Sequence, residues 1–201
     1  MSTKYKFRDQ NEIYFVTFTV INWIDVFIRN EYKEILINSW KHCIDHKGLE
    51  IYAWCIMTSH VHMIIGSNKN KLEGIVRDMK KHTSEQMKYA IQNNKHESRR
   101  ECLPVRQTGM LQMMEDAGKA NKNNVNFQFC LPDLQAGIQD SHPIVLDKIE
   151  IAWQRLDYIH NNPVVAGFVD KAEEYIYSSA RDYYFDIEGK VPIKRLSVYV
   201  S

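Results

Sequence analysis

The chain has 201 residues, of which 44% are hydrophobic and 25% charged, and its net charge is +1. That length allows one domain with its own core, and the composition is ordinary for a globular chain and excludes a disordered one. Near-neutral charge excludes a globally basic nucleic-acid coat, so any phosphate-binding surface has to be local. The four cysteines, Cys43, Cys55, Cys102 and Cys130, form no Cys-x-x-Cys pair, which excludes a zinc ribbon and a dithiol redox motif. The amino terminus lacks a secretory basic-then-apolar pattern, and no apolar run approaches membrane-spanning length. A cytoplasmic setting with no membrane partner is the expectation.

The first strand is expected over Ile13 to Val20. There Tyr14, Val16, Phe18 and Val20 alternate with Phe15, Thr17 and Thr19, all good strand formers. Asn30 reads as the N-cap of a helix from about Glu31 to His46, closed by Lys47-Gly48. Leu49 to Met57 reads as the second strand. Thr58-Ser59 is short enough to turn it into an antiparallel hairpin with a third strand, which starts at His60 and ends at Gly66. A second helix is expected from Lys71 to about Ile91, because Leu72, Ile75, Val76, Met79, Met87, Ala90 and Ile91 recur at three- and four-residue spacing. Residues 69–106 hold ten Lys or Arg against five Asp or Glu, a local charge of +5. Lys80, Lys81 and Lys88 on that helix are candidate DNA-binding residues, although a basic run also serves as a solvated helix face.

Residues 93–126 are polar and rich in Asn and Lys, and read as an insertion into a single domain spanning residues 1–201. A short strand is expected at Phe127 to Cys130, then a loop to Pro143. A third helix is expected from about Leu146 to Asn161, stopping before Pro163. Ser178 or Ser179 is placed to cap a short helix over Ala180 to Tyr183. The order strand, helix, strand, strand, helix, strand predicts an α+β fold: a ferredoxin-like antiparallel sheet with helices on one face, and an additional carboxy-terminal helix.

His60 and His62 are separated by Val61, so in a strand they share one face, roughly 6.6–6.8 Å apart along it. Val61, Met63 and Ile65 take the other face, the core side. Two imidazoles so placed can converge on one metal ion. Spacing alone does not separate that from two half-exposed histidines. On the third helix, at about 100° per residue, Ile149, Ala152, Trp153, Leu156 and Ile159 form the buried stripe. Tyr158 falls nearly opposite, Asn162 stands one turn on from it, and Arg155 flanks both. His160 lies toward the stripe and reads as a packed residue. A tyrosine hydroxyl can act as a covalent nucleophile on a polarised electrophile. A phosphodiester held by a divalent cation is one. Two imidazoles with an amide oxygen suit Mg²⁺ or Mn²⁺, with Zn²⁺ as an alternative.

Met57-Thr58-Ser59-His60-Val61-His62 resembles the Met-Pro-Asn-His-Val-His stretch of the single-tyrosine transposases of the insertion-sequence 200/605 group, which are HUH endonucleases. The run from Tyr158 to Val169, Tyr-Ile-His-Asn-Asn-Pro-Val-Val-Ala-Gly-Phe-Val, is similar to a stretch of their relatives, the REP-associated tyrosine transposases. Tyr175-Ile176-Tyr177-Ser178-Ser179-Ala180, followed by Tyr183, resembles the aromatic-Ser-Ser stretch that comes next in that group. The resemblance spans roughly residues 10 to 185. It departs at Thr58-Ser59 for Pro-Asn, at Val165 for Arg, and at Cys130-Leu131 for Trp-Gln. It implies cutting of single-stranded DNA beside a hairpin, with a 5′-phosphotyrosine link and a free 3′-hydroxyl. Carried over by position, Tyr158 is the nucleophile, His60 and His62 are catalytic metal ligands, and Asn162 is the third ligand. Arg155 joins the lysines as a candidate DNA contact. Some relatives are dimers that exchange the tyrosine helix and others are monomers. A catalytically silent hairpin-binding regulator on the same fold is the alternative, and a phosphohydrolase unrelated to DNA is a third reading.

Overall fold

A computed structural model describes residues 7–20, 23–69, 71–100, 109–113, 116 and 143–196. The strands are β1 (Tyr14–Thr19), β2 (Leu49–Ile56), β3 (His60–Ser67) and the two-residue β4 (Ile144–Val145). The helices are α1 (Asn30–Lys47), α2 (Leu72–Asn93), α3 (Ile149–Val165) and the short α4 (Ala180–Tyr184). The sheet is antiparallel in the order β2-β3-β1-β4, the expected ferredoxin-like arrangement. The strand expected at Phe127–Cys130, the loop to residue 142 and most of the 93–126 insertion lie outside the described residues. The pairing strand is Ile144–Val145, against Tyr14 and Phe15.

The two faces of the sheet are sorted by the pleat. Tyr14, Val16 and Phe18 of β1 join Val61, Met63 and Ile65 of β3 in a core under α1 and α2, built around Trp40, Trp54, Leu36 and Met79. Phe15, Ala53, Cys55 and Ile64 face the other way and pack under Ala152, Leu156 and Ile159 of α3. With helices on both sides, β1 is buried on both faces, which is why its pattern is nearly all apolar instead of alternating.

Two boundaries and one burial differ from expectation. Asn30 is the first residue of α1 and not its cap; extended Arg29 holds that position, with no side-chain cap. The Asn30 amide oxygen instead accepts from Lys33 Nζ at 3.4 Å. Pro163 lies inside α3, not beyond it. A proline in the final turn removes one donor, and the helix then closes on Gly167, whose φ is +74°. Gly167 N–H donates to Val164 O and Phe168 N–H to Pro163 O, both at 2.9 Å, so the carbonyls of the last turn are satisfied. Trp153, expected in the buried stripe, is exposed and meets Tyr183 edge-on at 6.4 Å.

The start of the polar insertion is anchored. The Glu97 carboxylate is fully buried and receives Arg99 Nε at 2.7 Å, Arg29 Nε at 3.1 Å and the Tyr32 hydroxyl at 3.2 Å. A buried charge is tolerable only when its acceptors are filled in this way. After α3 the chain returns along the outer edge of β2. Ile56 N–H donates to Tyr177 O and Ser179 N–H to Trp54 O, both at 2.9 Å.

Candidate active site

The histidine face of β3 carries His60, His62 and Ile64. The β1–β3 register sets Thr19 opposite His60, Thr17 opposite His62 and Phe15 opposite Ile64. The histidine rings lie 4.8 Å apart by centroid. His62 is buried, with Nδ1 2.8 Å from Thr17 Oγ1. Its Nε2 is buried without a hydrogen-bond partner. His60 is half-buried, with Nδ1 3.3 Å from Ser59 Oγ. Burial lowers the pKa of His62 to about 3, helped by the charges of His60 and Arg155. Burial also lowers that of His60, against the opposing pull of Asp25. Both imidazoles are therefore neutral at pH 7, the form that ligates metals.

Helix α3 brings its candidates to this face from the same chain. Tyr158 is 46% exposed, away from the buried stripe as the helical wheel requires. Its ring still reaches His62 at 5.1 Å and Phe15 at 6.0 Å. Phe15 also stacks on His62 at 5.7 Å, and the Arg155 guanidinium lies 5.0 Å over the Phe15 ring. Asn162 Nδ2 donates to the Tyr158 carbonyl at 2.8 Å. That turns the amide nitrogen onto the helix and leaves the oxygen as the group able to meet a cation. Lys80, Lys81 and Lys88 are not part of this assembly: α2 packs against the opposite face of the sheet.

His160 is packed, as expected. It is 1% exposed, Nε2 lies 2.9 Å from Ser179 Oγ, and burial lowers its pKa to about 4. Ser179 Oγ also accepts from Trp54 N–H at 2.9 Å. One hydroxyl thus ties α3 to β2, two residues along the helix from Tyr158.

The donor set on this face fits a divalent ion. It offers two neutral imidazoles and an orphaned buried nitrogen on one of them, with the Asn162 amide one helical turn from Tyr158 on α3. Among the described residues no three His, Cys, Asp or Glu side chains converge as a metal site. An ion at His60 and His62 would thus take amide, solvent or phosphate oxygens as its other donors.

Comparison with known proteins bears on these blocks. Residues 11–103 match the family model described as Transposase IS200 like. The matched region contains β1, α1, β2, β3 and α2, with both histidines, and ends before α3 and Tyr158. It bears out the resemblance read from the His60-Val61-His62 block. The fold is similar to a solved structure described as a REP-associated tyrosine transposase bound to a REP hairpin. That match has a TM-score of 0.57 and 16% identity, and covers 99% of this chain and 95% of the other. It extends the likeness of fold beyond residues 11–103 to α3 and the carboxy-terminal segment. No curated protein matches the chain.

Sequence reasoning missed Thr17, Phe15 and Trp23 as members of this site. Trp23 meets the His60 ring edge-on at 5.5 Å. The two polar positions in an otherwise apolar β1, Thr17 and Thr19, were the available signal.

Proposed function

We propose that the chain is a metal-dependent single-strand DNA endonuclease and strand transferase that acts on hairpin-bearing DNA through Tyr158. The observation that carries this reading is the Tyr158 ring against His62, 5.1 Å away, from elements almost a hundred residues apart. Core packing alone does not call for a half-exposed tyrosine over a buried, neutral histidine with an unused nitrogen.

His60, His62 and the Asn162 amide oxygen would hold Mg²⁺ or Mn²⁺, which when bound supplies charge neutralisation and alignment for a phosphodiester. Tyr158 Oη forms the bond to phosphorus as the P–O3′ bond breaks. The phenolic proton is lost to water, and the departing 3′-oxygen takes one up. The products are a 5′-phosphotyrosine and a free 3′-hydroxyl, and attack by a second 3′-hydroxyl reverses the step and transfers the strand. Arg155 stands beside Phe15 as a cation for the strand's phosphates. The lysines of α2 are too far round the fold to serve the cut itself and would serve a longer DNA path. Tyr158 meets His62 of its own chain, which supports a site built by one chain.

The test is a covalent adduct between the protein and a hairpin-bearing oligonucleotide in Mg²⁺ or Mn²⁺, seen as a shifted band under denaturing conditions. Tyr158→Phe should abolish it. An adduct formed equally well by Tyr158→Phe would end the assignment. One observation favours the silent regulator instead: His62 Nε2 is sealed from solvent. Hairpin binding with no adduct from the wild type in either metal would decide for that reading.

A further inference from the structure

The neighbouring rings run in order Trp23, His60, His62, Tyr158, with successive centroid separations of 5.5, 4.8 and 5.1 Å. The histidine pair therefore has an aromatic ring at each end. Tyr158 has a chemical role under the reading above; Trp23 has none. Its setting is unusual for an indole. Trp23 is 44% exposed, while Val20 and Ile24 on either side are buried. Its φ is +55°, a backbone region that bulky residues rarely enter, and Trp23 N–H donates to Val20 O at 2.9 Å. Val20 and Ile24 are thus buried while the larger Trp23 is held in water beside His60.

In-line displacement at phosphorus puts the leaving oxygen opposite the attacking one. With Tyr158 at the His62 end, the leaving 3′-oxygen and its nucleotide lie toward the His60 end, where Trp23 stands. Exposed aromatic rings stack on nucleobases with little regard to sequence. We infer that Trp23 is the stacking platform for the base on the 3′-hydroxyl side of the cut, and so grips the strand that is released. The assignment of sides rests on Tyr158 being the nucleophile; the stacking itself does not.

The experiment uses the full chain in EDTA, so that no cleavage occurs, with a short fluorescein-labelled oligothymidylate read by anisotropy. Trp23→Leu keeps an apolar cover on His60 but cannot stack; Trp23→Phe can. Trp23→Leu should weaken binding about 5- to 140-fold, the range for loss of one base–aromatic stack, and Trp23→Phe should retain most of the affinity. In a Trp153→Phe background Trp23 is the exposed indole, since Trp40 and Trp54 are buried. The strand should quench its emission there. Wild-type affinity in Trp23→Leu, or no quenching, overturns the inference. An adduct through Tyr158 together with unchanged binding by Trp23→Leu would remove the stacking role and leave the nuclease reading intact. Weakened binding by Trp23→Leu with no adduct from the wild type would do the reverse.

Discussion

Ser179→Ala removes a single oxygen that holds α3 to the sheet. Ser179 is fully buried, and its Oγ accepts from Trp54 N–H at 2.9 Å, sits 2.9 Å from His160 Nε2 and donates to Trp54 O at 3.3 Å. Trp54 O keeps the Ser179 backbone N–H as a donor, so it is not orphaned by the change. Trp54 N–H and His160 Nε2 are, and water cannot reach them. A buried group left unpaired costs about 1–3 kcal/mol, so the loss is about 2–6 kcal/mol. For a chain of this size that lowers Tm by roughly 4–24 °C. Thermal unfolding followed by far-UV circular dichroism at pH 7 is the assay. A variant melting within about 2 °C of wild type would show that the Ser179 contacts contribute nothing net, and that α3 is held by its apolar stripe alone.

Glu97→Gln should cost about 1–3 kcal/mol, below the loss for a fully enclosed pair because Arg29 and Arg99 are partly exposed. Burial pushes the Glu97 carboxyl up, but Arg99 and the Tyr32 hydroxyl more than offset this and hold it below the usual range. Its contribution is therefore complete above the ordinary carboxylate pKa and lost as pH falls through the lowered one; urea unfolding across pH 3–7 should be less pH-dependent in Glu97→Gln, and an unchanged slope would contradict this. If each chain builds its own site, as the proposed function has it, mixing Tyr158→Phe with His62→Ala should give no adduct; recovered activity would mean that the tyrosine helix is exchanged between chains. Thr17→Val should weaken Mn²⁺ binding, followed by electron paramagnetic resonance, about 10-fold or more, because an orienting partner of a metal-ligating histidine typically carries that much; unchanged affinity would reduce Thr17 to a packing residue.

Local signals carried much of this fold. The alternation in β3 assigned its faces, and Val61, Met63 and Ile65 lie in the core as their positions require. The two-residue link at Thr58-Ser59 required a hairpin, and Met57 N–H indeed donates to His60 O at 2.8 Å. What stayed hidden was non-local. Thr17 partners His62 only because of a register between strands more than forty residues apart. Trp23 reaches His60 through a left-handed turn that no periodicity reveals. Pro163 was misread because proline's effect on a helix depends on its distance from the end. Trp153 was misread because a wheel gives direction, not the depth of the neighbouring surface. Tyr158 and Asn162 share a helix face, so their pairing was legible, whereas the ring contact with His62 depends on where α3 crosses the sheet.

The return of residues 177–179 along β2 has a consequence for solubility. An antiparallel sheet has two rims, and an open rim offers unpaired N–H and C=O groups to any passing strand. Here β4 ends one side after two residues. On the other side Tyr177, Ser179 and Lys194 occupy the backbone groups of Ile56, Trp54 and Ile51. The segment that seats the tyrosine helix is thus also a guard against self-association. A chain shortened just after Gly167 would uncover a long, apolar β2 and should aggregate, even with every residue of the His60–His62–Tyr158 assembly still present.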